Sequence, residues 1–209
     1  MSVDALRYLL QCRGECEPLD YKENLQLTSP KQRADLTKDA LAVKNIGGGY
    51  IVIGVTDKTW EPIGLPRPLP LDSKMLRDAI REASGVELDV DIVQPEVYVD
   101  GSSRRFALIY IRSTRKRSKL RIPTVVAKDY HPRESYGLRR GEIYARKIDS
   151  TIKISTQIEL QEVLDTLEAQ ADYQALQAQE SSPFAIEDGL YRLLGTSKMR
   201  LCCSVGPGI

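Results

Sequence analysis

The 209-residue chain is 42% hydrophobic and 28% charged, a balance that excludes wholesale disorder and fits a folded domain. No run approaches the roughly 18 apolar residues that span a bilayer, and the opening stretch 1–17 mixes acids and bases without an extended apolar core, so neither a membrane span nor a secretory leader is expected. The net charge of +1 hides three unequal blocks: 12 Lys/Arg against 17 Asp/Glu over 1–103, 15 against 4 over 104–153, and 3 against 8 over 154–209. Phosphate attraction acts locally, within a Debye length, so the +11 middle block is where a polyanion is expected to dock.

In chain order, Asp4–Gln11 is expected to be a short helix with Leu6, Leu9 and Leu10 on one face, broken at Gly14. Leu19–Glu23 reads as a short strand. Ser29 with Pro30 marks a helix start, and the apolar positions Ala34, Leu36, Ala40, Leu41 and Val43 carry that helix to about Asn45. Gly47-Gly48-Gly49 closes it as a tight helix-to-strand turn. A phosphate-cradling loop would instead open a helix, and no G-K-[S/T] follows. The next run, Tyr50 to Val55, is apolar on both faces, as in a central strand covered on both sides.

Asp72 or Ser73 caps a helix to about Ser84. Strands are expected over Val90–Val99 and Phe106–Ile111, turned at Asp100-Gly101, with further short strands near Thr124–Ala127 and Glu142–Arg146. From Thr156 to about Ala178 a Gln/Glu/Leu/Ala helix follows, with an apolar face of Leu160, Val163, Leu164, Leu167 and Ala171. A short helical piece to Leu194 and an uninterpreted tail, Thr196–Ile209, end the chain. The fold class is α+β: a mixed sheet with packed helices over 1–153, then a helical C-terminal appendage over 154–209.

Cys12, Cys16 and the adjacent Cys202-Cys203 make neither a spaced disulfide framework nor a CxxC pair, and reduced thiols in a cytoplasmic protein are expected. His131, the only histidine, sits in a Pro/Tyr loop and reads as a surface residue.

Three carboxylates and a lysine carry the candidate chemistry: Glu15, Asp20, Asp57 and Lys22. Asp20 and Lys22 lie two apart on one strand face, Asp57 just past the end of the buried strand, and Glu15 in a turn able to fold back toward Asp20. Crowded carboxylates repel unless a cation neutralises them, and hard oxygen ligands suit Mg²⁺ or Mn²⁺. An ammonium beside such a centre offsets charge developing on a phosphoryl group. An Asp-x-Lys by itself is more often a solvated strand face. Arg112, Arg115, Lys116, Arg117, Lys119 and Arg121 form a run able to track a phosphate backbone, which fixes position without reading sequence.

Gly14 to Lys22 resembles the G-E-S-x-x-x-E-F-K opening of the Schlafen AlbA domain. Ala42 to Asp57 resembles its A-F-A-N-T-x-G-G centre with the G-V-x-D that follows, and Arg140 to Arg146 with Ser150-Thr151 resembles its closing G-E-x-Y-x-R-x-x-S-T. The resemblance implies a nucleic-acid-binding domain, in some members a Mg²⁺/Mn²⁺-dependent endoribonuclease acting on transfer and ribosomal RNA. It implies Glu15, Asp20 and Asp57 as catalytic and metal-holding acids, with Lys22 as the stabilising cation. Asp20 replaces the family's usual glutamate, and Lys44 stands where a small residue is common.

The expected function is therefore a metal-dependent endoribonuclease on structured RNA such as tRNA, in a setting such as antiviral defence. The alternative is a non-catalytic nucleic-acid-binding or ATP-binding regulatory module. A homodimer would parallel the two-lobed clamp of vertebrate relatives. Zinc is not expected, because no His-x-Cys accompanies Cys202-Cys203.

Overall fold

A computed structural model describes residues 3–12, 14–112, 122–147 and 149–179. Its elements are α1 (Val3–Gln11), β1 (Leu19–Lys22), α2 (Pro30–Asn45), β2 (Gly49–Ile53), α3 (Ser73–Ser84), β3 (Val90–Val93), β4 (Glu96–Val99), β5 (Ser102–Arg105), β6 (Ala107–Ile111), β7 (Tyr144–Lys147), β8 (Ser150–Lys153) and α4 (Gln157–Gln179). The main sheet runs β1-β2-β6-β3. The β1–β2 pair is parallel, and β6 lies antiparallel to both β2 and β3. The α+β class with a mixed sheet is what the pattern predicted.

The pleat sorts the side chains. Ile51, Ile53, Ile109 and Ile111 pack with Leu36, Leu41 and Val43 of α2 and Leu76 and Ile80 of α3. On the other face Leu19, Tyr21, Val52 and Leu108 pack with Leu6, Leu9 and Leu10 of α1. Successive residues of a strand point to opposite faces, so Leu19 and Tyr21 look toward α1 while Asp20 and Lys22 look toward α2.

Local chemistry starts and stops these elements. Ser29 and Gln32 form a reciprocal capping box with Pro30 in the first turn of α2. Asp72 caps α3, and Gly85 ends it in the left-handed conformation. The glycine turn after α2 brings β2 so close to Pro18 that a Cβ on Gly49 would sit 2.2 Å from the Pro18 carbonyl oxygen. Only glycine permits that approach.

Side chains meet both outer edges of the sheet. The Tyr21 N–H on β1 donates to a Glu15 carboxylate oxygen (3.0 Å). On β3 the Ile92 N–H donates to the Ser73 hydroxyl, and Arg77 donates to the Val90 carbonyl. These contacts occupy groups that an added strand would need.

Several expectations are corrected. Val90–Val99 is two strands in different sheets, because Pro95 has no N–H to continue a ladder. The Asp100-Gly101 turn, with both residues at positive φ, joins β4 to β5 instead of leading directly to β6. Residues 124–127 form no strand; Val126 and Ala127 spend their N–H groups on the carbonyls of Glu142 and Ser84. The expected strand near 142–146 is the first arm of the β7–β8 hairpin. Cys12 and Cys16 are both buried. The helix to Leu194, the tail and Cys202-Cys203 lie outside the described residues. The α4 helix seats Val163 and Leu167 on Ala145, Ile152 and Ile154.

Candidate functional site

The expected constellation assembles in part, around a cation that the sequence reading did not assign. Arg146 on β7 donates through Nη1 to Asp20 Oδ1 (3.0 Å) and through Nη2 to Glu15 Oε2 (3.3 Å). The side chains of Arg146 and Asp20 are 3% and 5% exposed, so this contact is internal. Lys22 Nζ stands 3.0 Å from Asp20 Oδ2 and 2.7 Å from Asp39 Oδ2 on α2. Asp39 in turn accepts from the Thr151 hydroxyl of β8 (2.7 Å). Three carboxylates thus share a lysine and an arginine, and the network stitches the first strand, the long helix and the closing hairpin together.

The electrostatics follow from burial. Desolvation raises the Glu15 carboxyl, against the Tyr21 N–H and the Arg146 charge, which lower it. Burial alone would lower the Lys22 ammonium, but Asp39 and Asp20 outweigh it and hold it above its ordinary value. Lys22 is therefore a fixed cation throughout the neutral range.

Asp57 is not part of this network. The Lys22 carbonyl accepts the N–H groups of Gly54 and Val55, which brings the 56–60 turn to the end of β1. The Asp57 side chain is nevertheless exposed. Among the described residues no hydrogen bond or ion pair joins it to Glu15, Asp20 or Lys22, and no three Asp, Glu, His or Cys side chains gather as a metal centre would require. A divalent ion needs several oxygens free to turn to one point. Here Glu15 and Asp20 are turned to a guanidinium, so the three acids do not fit a formed metal centre in this arrangement.

Of the basic run, Arg112 alone lies among the described residues; Arg115, Lys116, Arg117, Lys119 and Arg121 fall outside them. Arg112 reaches Asp91 (2.6 Å) and Asp89 (3.4 Å) and lies 5.7 Å from the centroid of the Tyr110 ring. Its backbone is held as well, since Lys44 Nζ donates to the Arg112 carbonyl (2.7 Å). The next residue, Asn45, donates to the carbonyls of Thr124 and Tyr144 and accepts from the Thr124 N–H. The end of α2 therefore holds the chain on both sides of the 113–121 stretch.

A cleft of about 580 Å³ opens between α2, residues 134–139 and the β7–β8 hairpin, with Asp39 in its wall. Arg146, Asp39 and Asn45 are the residues that sequence reasoning left without a role. Arg146 and Asn45 stood inside the closing and central blocks quoted above. Asp39 gave a fainter signal, an acid beside the apolar stripe of Leu36, Ala40 and Val43.

A family model described as Schlafen, AlbA_2 matches residues 15–155. The chain belongs to the Schlafen AlbA_2 family. Membership gives it a nucleic-acid-related function at the family's level. The buried Arg146–Asp20 pair thus joins the opening and closing motifs of a Schlafen AlbA_2 domain. No curated protein matches the chain. Among solved structures, the DIP2311 protein of Corynebacterium diphtheriae is similar at 18% identity with a TM-score of 0.42, over 73% of this chain. The match spans 30% of that protein's length. Among the described residues no helix is long and apolar enough to cross a membrane.

Proposed function

We propose that this Schlafen AlbA_2 domain is a nucleic-acid-binding module that grips phosphate backbones with the cations of its 104–153 block, in a cytoplasmic, regulatory or defence setting. One observation carries the choice of binding over cutting: Arg146 sits between Glu15 and Asp20, while Asp57 stands apart in solvent. In this reading the acids and Lys22 are structural. They neutralise one another and lock the hairpin that displays part of the basic block. Breaking a buried pair of this kind costs stability.

The finer reading, a Mg²⁺/Mn²⁺-dependent endoribonuclease acting on tRNA-like RNA, keeps one supporting feature. Glu15 and Asp20 do converge on a single cation position. That position holds a side chain with nowhere else to be solvated, which favours the binding reading.

The deciding experiment pairs a binding isotherm at two salt concentrations with incubation of total tRNA in Mn²⁺ or chelator. Steeply salt-dependent binding without divalent-dependent products supports the module. Cleavage that requires Mn²⁺ and disappears in Asp57→Ala replaces it with the nuclease.

A further inference from the structure

The cleft beside Asp39 contains charges from three separate elements. Its cations are Lys38 on α2, Arg139 in the 134–139 segment and Lys153 on β8; its acids are Asp35, Asp39, Glu134 and Glu142. The formal count favours the acids, but the pairing reverses it. Asp39 is taken by Lys22 and Thr151, both at 2.7 Å. Asp35 is taken by Lys31 at 2.9 Å. Glu142 accepts from the Arg139 N–H (2.9 Å), the Tyr144 hydroxyl (2.7 Å) and Lys153 (3.3 Å). Burial would raise its carboxyl, yet these donors hold it below its ordinary value. Glu134, the remaining acid, is exposed.

The cations are less engaged. Among the described residues Lys38 meets only Asp35, at 4.0 Å, although its side chain is just 18% exposed. Among the described residues the Arg139 guanidinium makes one long contact, 3.4 Å to the Pro132 carbonyl. Apart from the exposed Glu134, what the cleft has left to offer a ligand is positive: a partly buried ammonium on α2 and a guanidinium in the 134–139 segment. A guanidinium suits phosphate oxygens through paired donors, and an ammonium adds a point charge. The volume falls in the range of small-ligand pockets.

We propose that this cleft is a phosphate subsite, in which Lys38 and Arg139 hold a phosphate group of a bound nucleic-acid strand, with Lys153 at the rim. The inference rests on the binding reading above and deepens it. It places one contact point against the wall formed by Asp39.

The experiment measures anisotropy of a fluorescein-labelled single-stranded RNA oligonucleotide across a salt series, in wild type, K38Q/R139Q and the control R67Q/K74Q, whose residues are exposed, outside the cleft and outside the 104–153 block. Unlabelled nucleoside monophosphate is titrated separately by calorimetry. Near-ultraviolet circular dichroism checks the fold; if the double variant does not fold, R139Q alone is used, with half the effect expected. The expected result is about a tenfold loss of RNA affinity in K38Q/R139Q, with the log–log salt slope shallower by about 0.7, the value for one single-strand phosphate contact. Equal loss in K38Q/R139Q and in the control overturns the subsite and leaves the binding reading standing. Binding of the monophosphate alone, weakened in K38Q/R139Q, upholds the phosphate subsite and overturns the strand-binding function. Binding of neither ligand by wild type overturns both.

Discussion

Arg146 and Asp20, 126 positions apart, meet at 3.0 Å in the interior of the fold, with Glu15 on the other arm of the same guanidinium. The contact fastens the closing hairpin to the first strand and, through Lys22 and Asp39, to the long helix. A buried pair of this kind contributes little relative to an apolar pair, but removing one partner strands the other. Arg146→Met leaves Asp20 and Glu15 facing each other without the guanidinium. The expected loss is about 3–5 kcal/mol, read as a lower midpoint in urea. An unchanged midpoint would show that the pair is not formed in solution. Asp20→Asn/Arg146→Met should recover part of the loss, because one of the two stranded charges is gone.

Asn45 is 1% exposed and makes three hydrogen bonds to main-chain groups of Thr124 and Tyr144. Asn45→Ala abandons those groups in a dry site, at a cost of about 3 kcal/mol. Asn45→Asp is worse, since it turns an acceptor toward two carbonyls. Because Thr124 follows the 113–121 stretch, the Ala variant is also expected to weaken nucleic-acid binding under conditions where it remains folded. Circular dichroism melts and anisotropy on the same samples separate the two effects.

These two residues also show where sequence reasoning stops. The start of α2 was legible because Ser29, Pro30 and Gln32 act within one turn. The Gly47–Gly49 turn was legible for the same local reason, and the double burial of β2 because its run is apolar on both faces. That Asp20 and Lys22 share a face follows from the period of two. Which face it is does not follow: a strand reading Leu-Asp-Tyr-Lys looks half solvated, and Asp20 is inside only because a guanidinium arrives from residue 146. Partners separated by a hundred residues leave no periodic trace. The same limit hid Asp39, whose partners lie on β1 and β8, and the strand β8 itself, whose residues Ser150–Lys153 are too polar and too few to announce a ladder.

Asp57→Ala separates a structural acid from a functional one. The side chain is exposed and sits outside the Arg146 network, so stability should change by no more than about 0.5 kcal/mol. In the binding reading its RNA affinity matches wild type or rises slightly as a negative charge is removed. A melt lowered as far as that of Arg146→Met would mean that Asp57 belongs to the buried network after all.

Lys44 supplies a pH signature. Burial lowers its ammonium to about 8, against the pull of Asp89, from an ordinary value of 10.5. The unfolded chain therefore holds a proton on this lysine, between about pH 8 and 10.5, that the folded chain has shed. The unfolded state binds more protons in that window, so the Lys44 contribution to stability rises with pH there. Below pH 8 both states are charged and the desolvation penalty is present in full. Lys22 contributes oppositely and higher up: its raised folded value keeps its stabilisation intact below 10.5 and loses it above. Comparing urea midpoints of wild type and Lys44→Met at pH 7 and pH 9.5 isolates the first effect. Relative to the variant, wild type should gain stability over that interval. A difference that stays flat would mean that the Lys44 ammonium, although bonded to the Arg112 carbonyl, is solvated as freely as a surface lysine.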